Sequence, residues 1–223
     1  LQVRGKMLER VLTIETTLQR QSADVQPDTT GPAARPAPAA PPGSTPETQD
    51  STIWEAARTR AAALAAEYRF LEAKQAVEKA EVPGDRSNEK TIMTKKLEWL
   101  AKFKSMLAAD INGAGFPGTI TRKNGMVVSG GINKATETTL ATKTPYGFVE
   151  TPWREVSTGS ILTMADFFLK LKPEPERGER LWLEGVFALE RGIPKEGKAL
   201  VIEASQMNDQ YKDELPVFID IAE

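Results

Sequence analysis

Seven of the fifteen prolines fall from Pro27 to Pro46, and this clustering divides the chain before any other feature does. The run DTTGPAARPAPAAPPGSTPE carries almost no large apolar side chain. Such a segment cannot bury enough surface to offset the entropy of ordering it, so residues 21–50 are expected to be an extended, polyproline-like linker. Pro38 and Pro41 also have the bare PxxP spacing of a ligand for another domain. Before the linker, residues 1–20 place Val3, Met7, Val11, Ile14 and Leu18 at helical intervals, which predicts an amphipathic helix. It is either a short packed helix or the end of a coiled coil or juxtamembrane helix that begins upstream. The chain starts at Leu1 rather than Met, and we expect it to come from a longer protein. The core must therefore be built from residues 51–223.

Residues 51–112 read as a helical pair. Thr52 and Glu55 form a capping-box pattern ahead of Trp54, Ala57, Ala61, Leu64, Tyr68 and Leu71. That stretch runs to about Ala80 and stops at Pro83-Gly84-Asp85, either as one helix or as two. Ser87 or Asn88 then caps a helix with the apolar stripe Met93, Leu97, Leu100, Phe103, Leu107 and Ile111, ended by Asn112-Gly113. From 113 to 156 the texture is strand-like. GTITRK and MVVSGGI meet across Asn124-Gly125 as a two-residue hairpin, and ETTLATKT and FVETPW flank Pro145-Tyr146-Gly147. Gly130-Gly131 marks a candidate bulge. Four short strands in this length predict a small antiparallel meander or SH3-like barrel. From 157 to 223 helices return: Ile161, Leu162, Ala165, Phe168 and Leu169 form one face, broken at Pro173 and Pro175. A helical pair follows over 181–190 and 194–207, and then a last apolar piece over 215–221.

The two helical portions share a spacing. Ala61, Ala73 and Ala80 are 12 and 7 residues apart, and so are Gly185, Gly197 and Ala204, with Val77 and Val201 in the same register. Small residues at these places let antiparallel helices approach closely. The pattern resembles the tetratricopeptide repeat; the second copy has a turn glycine, Gly192, and the first has Tyr68-Arg69-Phe70 there. Over 53–223 the order is the AAEYRFLEAKQAVEKA unit, a second helix, the NGMVVSGGINKATETTLATKTPYGFVETPW segment and the C-terminal pair. This order resembles regions of large multidomain proteins of planctomycete and verrucomicrobial bacteria. Some of those proteins carry a Ser/Thr kinase domain and a membrane anchor; no kinase motif stands in this sequence. The expected class is α+β, mostly helical, with TPR-like helix pairs flanking the small β-meander.

Chemistry is narrowed by two absences. The chain has no cysteine and no histidine, which removes thiol nucleophiles, disulfides, Ser–His–Asp triads and the commonest transition-metal ligands. Carboxylate pairs such as Glu174/Glu176 and Asp213/Glu214 lie in polar or proline-flanked contexts, without the apolar surroundings that raise an acid's pKa. GAGFPG precedes a strand rather than a helix and does not make a phosphate loop. No residue is assigned a catalytic, cofactor-binding or metal-ligating role. No run approaches about 18 apolar residues, so a membrane is expected only through an upstream segment.

The net charge of −2 is unevenly divided: residues 87–152 carry nine Lys/Arg against five Asp/Glu, and 153–223 carry nine against fourteen. Such opposed portions dock on each other or on another molecule. Lys95, Lys96, Lys102 and Lys104 are the basic candidates for an acidic partner, with a solvated helix face as the plainer reading. Aromatic residues do not interleave with them as a nucleic-acid platform requires. Trp54, Trp99, Trp153 and Trp182 read as core, with Trp153 joining the strands to the helices. The leading expectation is a non-enzymatic protein- or peptide-binding scaffold without cofactor, tethered outside the cytoplasm. The second is a glycan, peptidoglycan or single-stranded nucleic-acid module that uses Tyr146 and Phe148. A hydrolase or transferase built on carboxylates and lysine is the third, with no motif behind it.

Overall fold

The first hairpin turns where no turn residue stands. In the computed structural model, which describes residues 46–216 with side chains from 52 onward, α1 (Pro46–Ala66) and α2 (Phe70–Lys79) are separate helices. Tyr68 sits between them with φ +62°. The Arg69 N–H reaches back to the Leu64 carbonyl (2.9 Å) and the Tyr68 N–H to Ala65 (3.0 Å), the paired bonds of a Schellman cap. The same pair recurs in the C-terminal portion. There Ile193 donates to Ala188 (2.9 Å) and Gly192 to Leu189 (3.1 Å), with Gly192 at φ +75° between α5 (Glu174–Glu190) and α6 (Pro194–Met207). Tyr68 therefore occupies the place of the turn glycine, and residues 53–80 are a helical pair.

Small residues set how closely each pair packs. Ala61 and Ala73 are fully buried where α1 crosses α2. At the α5–α6 crossing, a Cβ on Gly185 would lie 2.7 Å from Val201 Cγ1 and 3.0 Å from the Gly197 carbonyl, so only glycine permits that approach.

The long helix α3 (Ser87–Ala114) buries Leu97, Leu100, Phe103, Leu107 and Ile111 along one face and joins the helical and strand portions. Its end differs from the expectation. Gly113 lies inside the helix, and Gly115, at φ +70°, terminates it. Asn112 is used otherwise: its side-chain amide accepts from the Ala135 N–H (2.8 Å) and donates to the Ala135 carbonyl (2.9 Å), holding a strand against the helix.

The other helix boundaries move for local reasons. α1 begins at Pro46, not at the Thr52/Glu55 pattern; proline at a first turn has no N–H to leave unpaired. The last five residues of the expected linker are therefore helical. Neither Ser87 nor Asn88 caps α3, which follows a short turn over Gly84–Arg86. Pro175 opens α5 rather than breaking the chain, so α5 starts at Glu174, seven residues before the expected 181. α4 (Thr158–Leu169) starts as a cap signal requires, with the Ser157 hydroxyl accepting from the Ser160 N–H.

The strands form two antiparallel sheets instead of one four-stranded meander. β1 (Ile120–Thr121) pairs β2 (Val127–Val128), and β3 (Ile132–Ala135), β4 (Thr139–Thr144) and β5 (Gly147–Pro152) pair in sequence order. The run MVVSGGI is cut at Gly130-Gly131, both at positive φ, and its two halves enter different sheets. A register shift follows between Ile132 and Lys134. The β1–β2 connection is a three-residue loop with Gly125 at φ +85°, one residue longer than Asn-Gly alone implies. Pro145-Tyr146 does make a two-residue turn.

The architecture is thus α+β and mostly helical. Its buried side chains form one continuous cluster running through α1, α2, α3, the strands, α4, α5 and α6. The helix expected over residues 1–20, residues 21–45 of the expected linker and residues 217–221 of the final apolar piece lie outside the described residues.

Candidate functional surface

The basic candidates on α3 are occupied from within the chain. Lys95 pairs with Glu214, Lys96 with Glu190 (2.8 Å) and Lys102 with Glu179. Three lysines of the basic portion thus meet three glutamates of the acidic portion, and the charge asymmetry is used in folding. These pairs are partly solvated, so each is worth no more than about 1 kcal/mol. Lys104 does not share their surface. It is buried, and its ammonium donates to the Tyr68 carbonyl (2.8 Å), the Glu137 carbonyl (2.5 Å) and Glu137 Oε1 (2.6 Å). A lysine has three donors, and all are used to tie the α1–α2 turn to the β3–β4 turn.

A second interior knot forms around Arg191. Its guanidinium lies 4.2 Å from the centre of the Tyr68 ring, and Nη2 donates to the Ala65 carbonyl (2.9 Å). The turn of one helical pair is thereby clamped on the turn of the other. Asp110 does similar work at the far end of α3, holding Arg180 and, at 2.8 Å, Lys172.

One member of each carboxylate pair noted in the sequence is engaged in an ion pair. Glu174 pairs with Arg177 (2.9 Å) in the first turn of α5, and Glu214 is the partner of Lys95. One carboxyl is pushed the other way. Glu184 is 6% exposed, and burial, with the charge of Asp166 acting in the same sense, raises its pKa to about 8. The space beside it, lined by Phe103, Met106, Leu107 and Arg180, is about 20 Å³, enough for no more than a water molecule. The sequence does mark Glu184, as the lone charge within the apolar run 181–189, but which side chains bury it is set by α3 and α4.

Two surfaces remain open. A groove of about 770 Å³ lies between α1 and α3, with Ala62, Ile92 and Met93 in its lining. Most of its charges are paired: Arg58 binds Glu55 and Glu89 (both 3.2 Å), and Arg86 binds Glu55 and helps hold that carboxyl below its usual range. The other surface is the β4–β5 hairpin. Tyr146 at its turn is 100% exposed, Phe148 67% and Val149 38%. Phe148 stands opposite Lys143 across the hairpin. Met126 and Val127 are also exposed, so five of the ten large apolar side chains left in solvent among the described residues lie between 126 and 149. The sequence pointed to Tyr146 and Phe148; it missed Met126, Val127 and Val149, whose strands read as ordinary half-buried ladders.

No protein family, curated protein or solved structure matches the chain. Among the described residues, no helix is long and apolar enough to cross a membrane, and no cluster of three or more Asp or Glu is placed to hold a metal ion.

Proposed function

We propose that this chain is a non-enzymatic protein-interaction segment of a larger protein. In this reading, its TPR-like helix pairs form a rigid support and its strand portion forms the docking face. The carrying observation is the concentration of solvent-exposed apolar side chains on the strand portion, with Tyr146, Phe148 and Val149 at its tip. Exposed apolar groups gathered on one small element mark interaction surfaces more often than scattered ones do. The helix faces that the sequence favoured have their lysines engaged by glutamates of the same chain. That shifts the docking face from the helices to the hairpin. A partner of protein or peptide chemistry suits a surface that offers aromatic, aliphatic and main-chain groups together.

Glycan or nucleic-acid binding is the second reading. It rests on the exposure of the same two rings, since stacking on sugars or bases needs open aromatic faces. Tethering through an upstream segment remains part of the proposal and is independent of which ligand the hairpin takes.

The test places a photo-crosslinking residue at Phe148 in one protein and at Lys96 in another, with extracts of the source cells as bait. A defined protein adduct at 148, absent at 96 and competed by unlabelled chain but not by the Tyr146→Ser/Phe148→Ser variant, supports the reading. Adducts to glycan or nucleic acid at 148 favour the second reading. Equal adducts at both positions, or none, overturn both.

A further inference from the structure

The hairpin carries a feature besides its exposed rings: an unpaired main-chain edge. The three-stranded sheet runs in the order β3-β4-β5, so β5 is a terminal strand. The Lys143 N–H donates to the Gly131 carbonyl (3.1 Å), on the β3 side. Lys143 is the cross-strand neighbour of Phe148, so this is a pair that exchanges no main-chain bonds, and the N–H and C=O of Phe148 face away from β4. Two residues on, the N–H and C=O of Glu150 face the same way. Among the described residues no other backbone group bonds to either of them. Pro152, which has no N–H, ends the edge.

Only the charge of Glu150 and Pro152 guard the edge. β5 has no bulge and no lysine, and it pairs with β4 in unbroken register along all six residues. Its side chains specify what could lie beside it. Phe148 and Glu150 project on one face and Val149 on the other, and Glu150 has no ion-pair partner among the described residues. An antiparallel strand would set one residue opposite Glu150, the next beside Val149 and the third opposite Phe148. A basic residue complements the first place and apolar residues the other two. A second copy of the chain suits the edge poorly. Two-fold pairing of β5 with itself sets Glu150 against Phe148, against another Glu150 or, with Phe148 on Phe148, against Tyr146 of the turn, and none of these gives it a cation.

We propose that the outer edge of β5 accepts an antiparallel strand from a protein partner whose sequence reads basic–apolar–apolar. The inference rests on the reading of the hairpin as the docking face and adds to it the partner's chemistry. Main-chain bonds at Phe148 and Glu150 supply affinity, and the three side-chain places supply register.

The probe is a fluorescein-labelled peptide, Thr-Thr-Lys-Val-Phe-Thr-Thr with blocked ends, titrated with the full chain and followed by anisotropy. N-methylation of the Phe or Lys residue removes a donor aimed at β5, and each change should weaken binding roughly tenfold. N-methylation of Val, whose N–H points away, should weaken it far less. Glu150→Lys should reverse the preference between this peptide and its Lys→Glu counterpart. Equal loss at all three N-methyl positions, or no reversal, overturns strand addition. So does a dimer of the chain that the peptide cannot dissociate, which would assign the edge to a second copy. If the peptide fails to bind while crosslinking at Phe148 still finds a protein, strand addition alone is wrong. If both fail, the docking face is wrong as well.

Discussion

Tyr68 bears two loads that oppose each other. A side chain at φ +62° costs on the order of 1 kcal/mol or more relative to glycine, yet the ring is buried beneath Arg191 and beside Phe70 and Phe187. The burial and the cation–π contact outweigh the backbone cost. We expect Tyr68→Gly to relieve the backbone and still destabilise the protein by about 3 kcal/mol in urea unfolding. A variant as stable as the parent would show that the ring contributes nothing. Glu184 gives a pH dependence with a definite sign. Its folded pKa of about 8 lies above the ordinary 4.5, so between those values the folded state keeps a proton that the unfolded chain has lost. Its contribution is fully present below about pH 4.5, falls as pH rises and is lost through pH 8, a change of roughly several kcal/mol. Glu184→Gln should remove that slope, so the stability difference between variant and parent grows from pH 5 to pH 8. Parallel stability curves over this range would place the slope on another group.

At the scale of elements, the helix pairs are set by the residues that are absent from their contact lines. Gly185 and Gly197 leave room for the α5 and α6 backbones to touch, and an added methyl at 185 meets Val201 and the Gly197 carbonyl. Gly185→Ala should therefore cost about 1–3 kcal/mol in thermal unfolding. Gly159→Ala in α4, where a Cβ meets nothing, should be neutral or slightly stabilising. Similar effects at both sites would refute close approach as the reason for Gly185. The 12-and-7 spacing was legible in the sequence because it reflects this requirement. The first turn was not, since tyrosine is a poor residue for a left-handed position and is kept there by a ring contact made 123 positions away, at Arg191. The strand run through Gly130-Gly131 misled for a related reason. Gly130-Gly131 read as a bulge within one strand, and nothing in that window says that its halves will pair with different strands.

Across the whole molecule, the strand portion and the helices are one packed body joined at a few side chains. Trp153, in the short turn that follows β5, is buried in the common core, and its indole N–H donates to the Thr136 carbonyl (2.9 Å) in the β3–β4 turn. Trp153→Ala should lower stability by about 3–5 kcal/mol, read as a lower thermal midpoint, and an unchanged midpoint would remove it from that role. The Lys–Glu pairs between α3 and the C-terminal portion and the Arg191 clamp close the same assembly. By itself, the sequence determined a mostly helical chain with a strand-rich middle, the need for close approach at Gly185 and Gly197, and how charge divides along the chain. Those properties follow from periodicity, residue size and composition within short windows. The tertiary structure alone decided which glutamates the α3 lysines would meet, that Tyr68 would turn the chain, and which strand edge would stay open. Each of these choices is a pairing between distant residues, and its free energy exists only once the chain has brought both partners together.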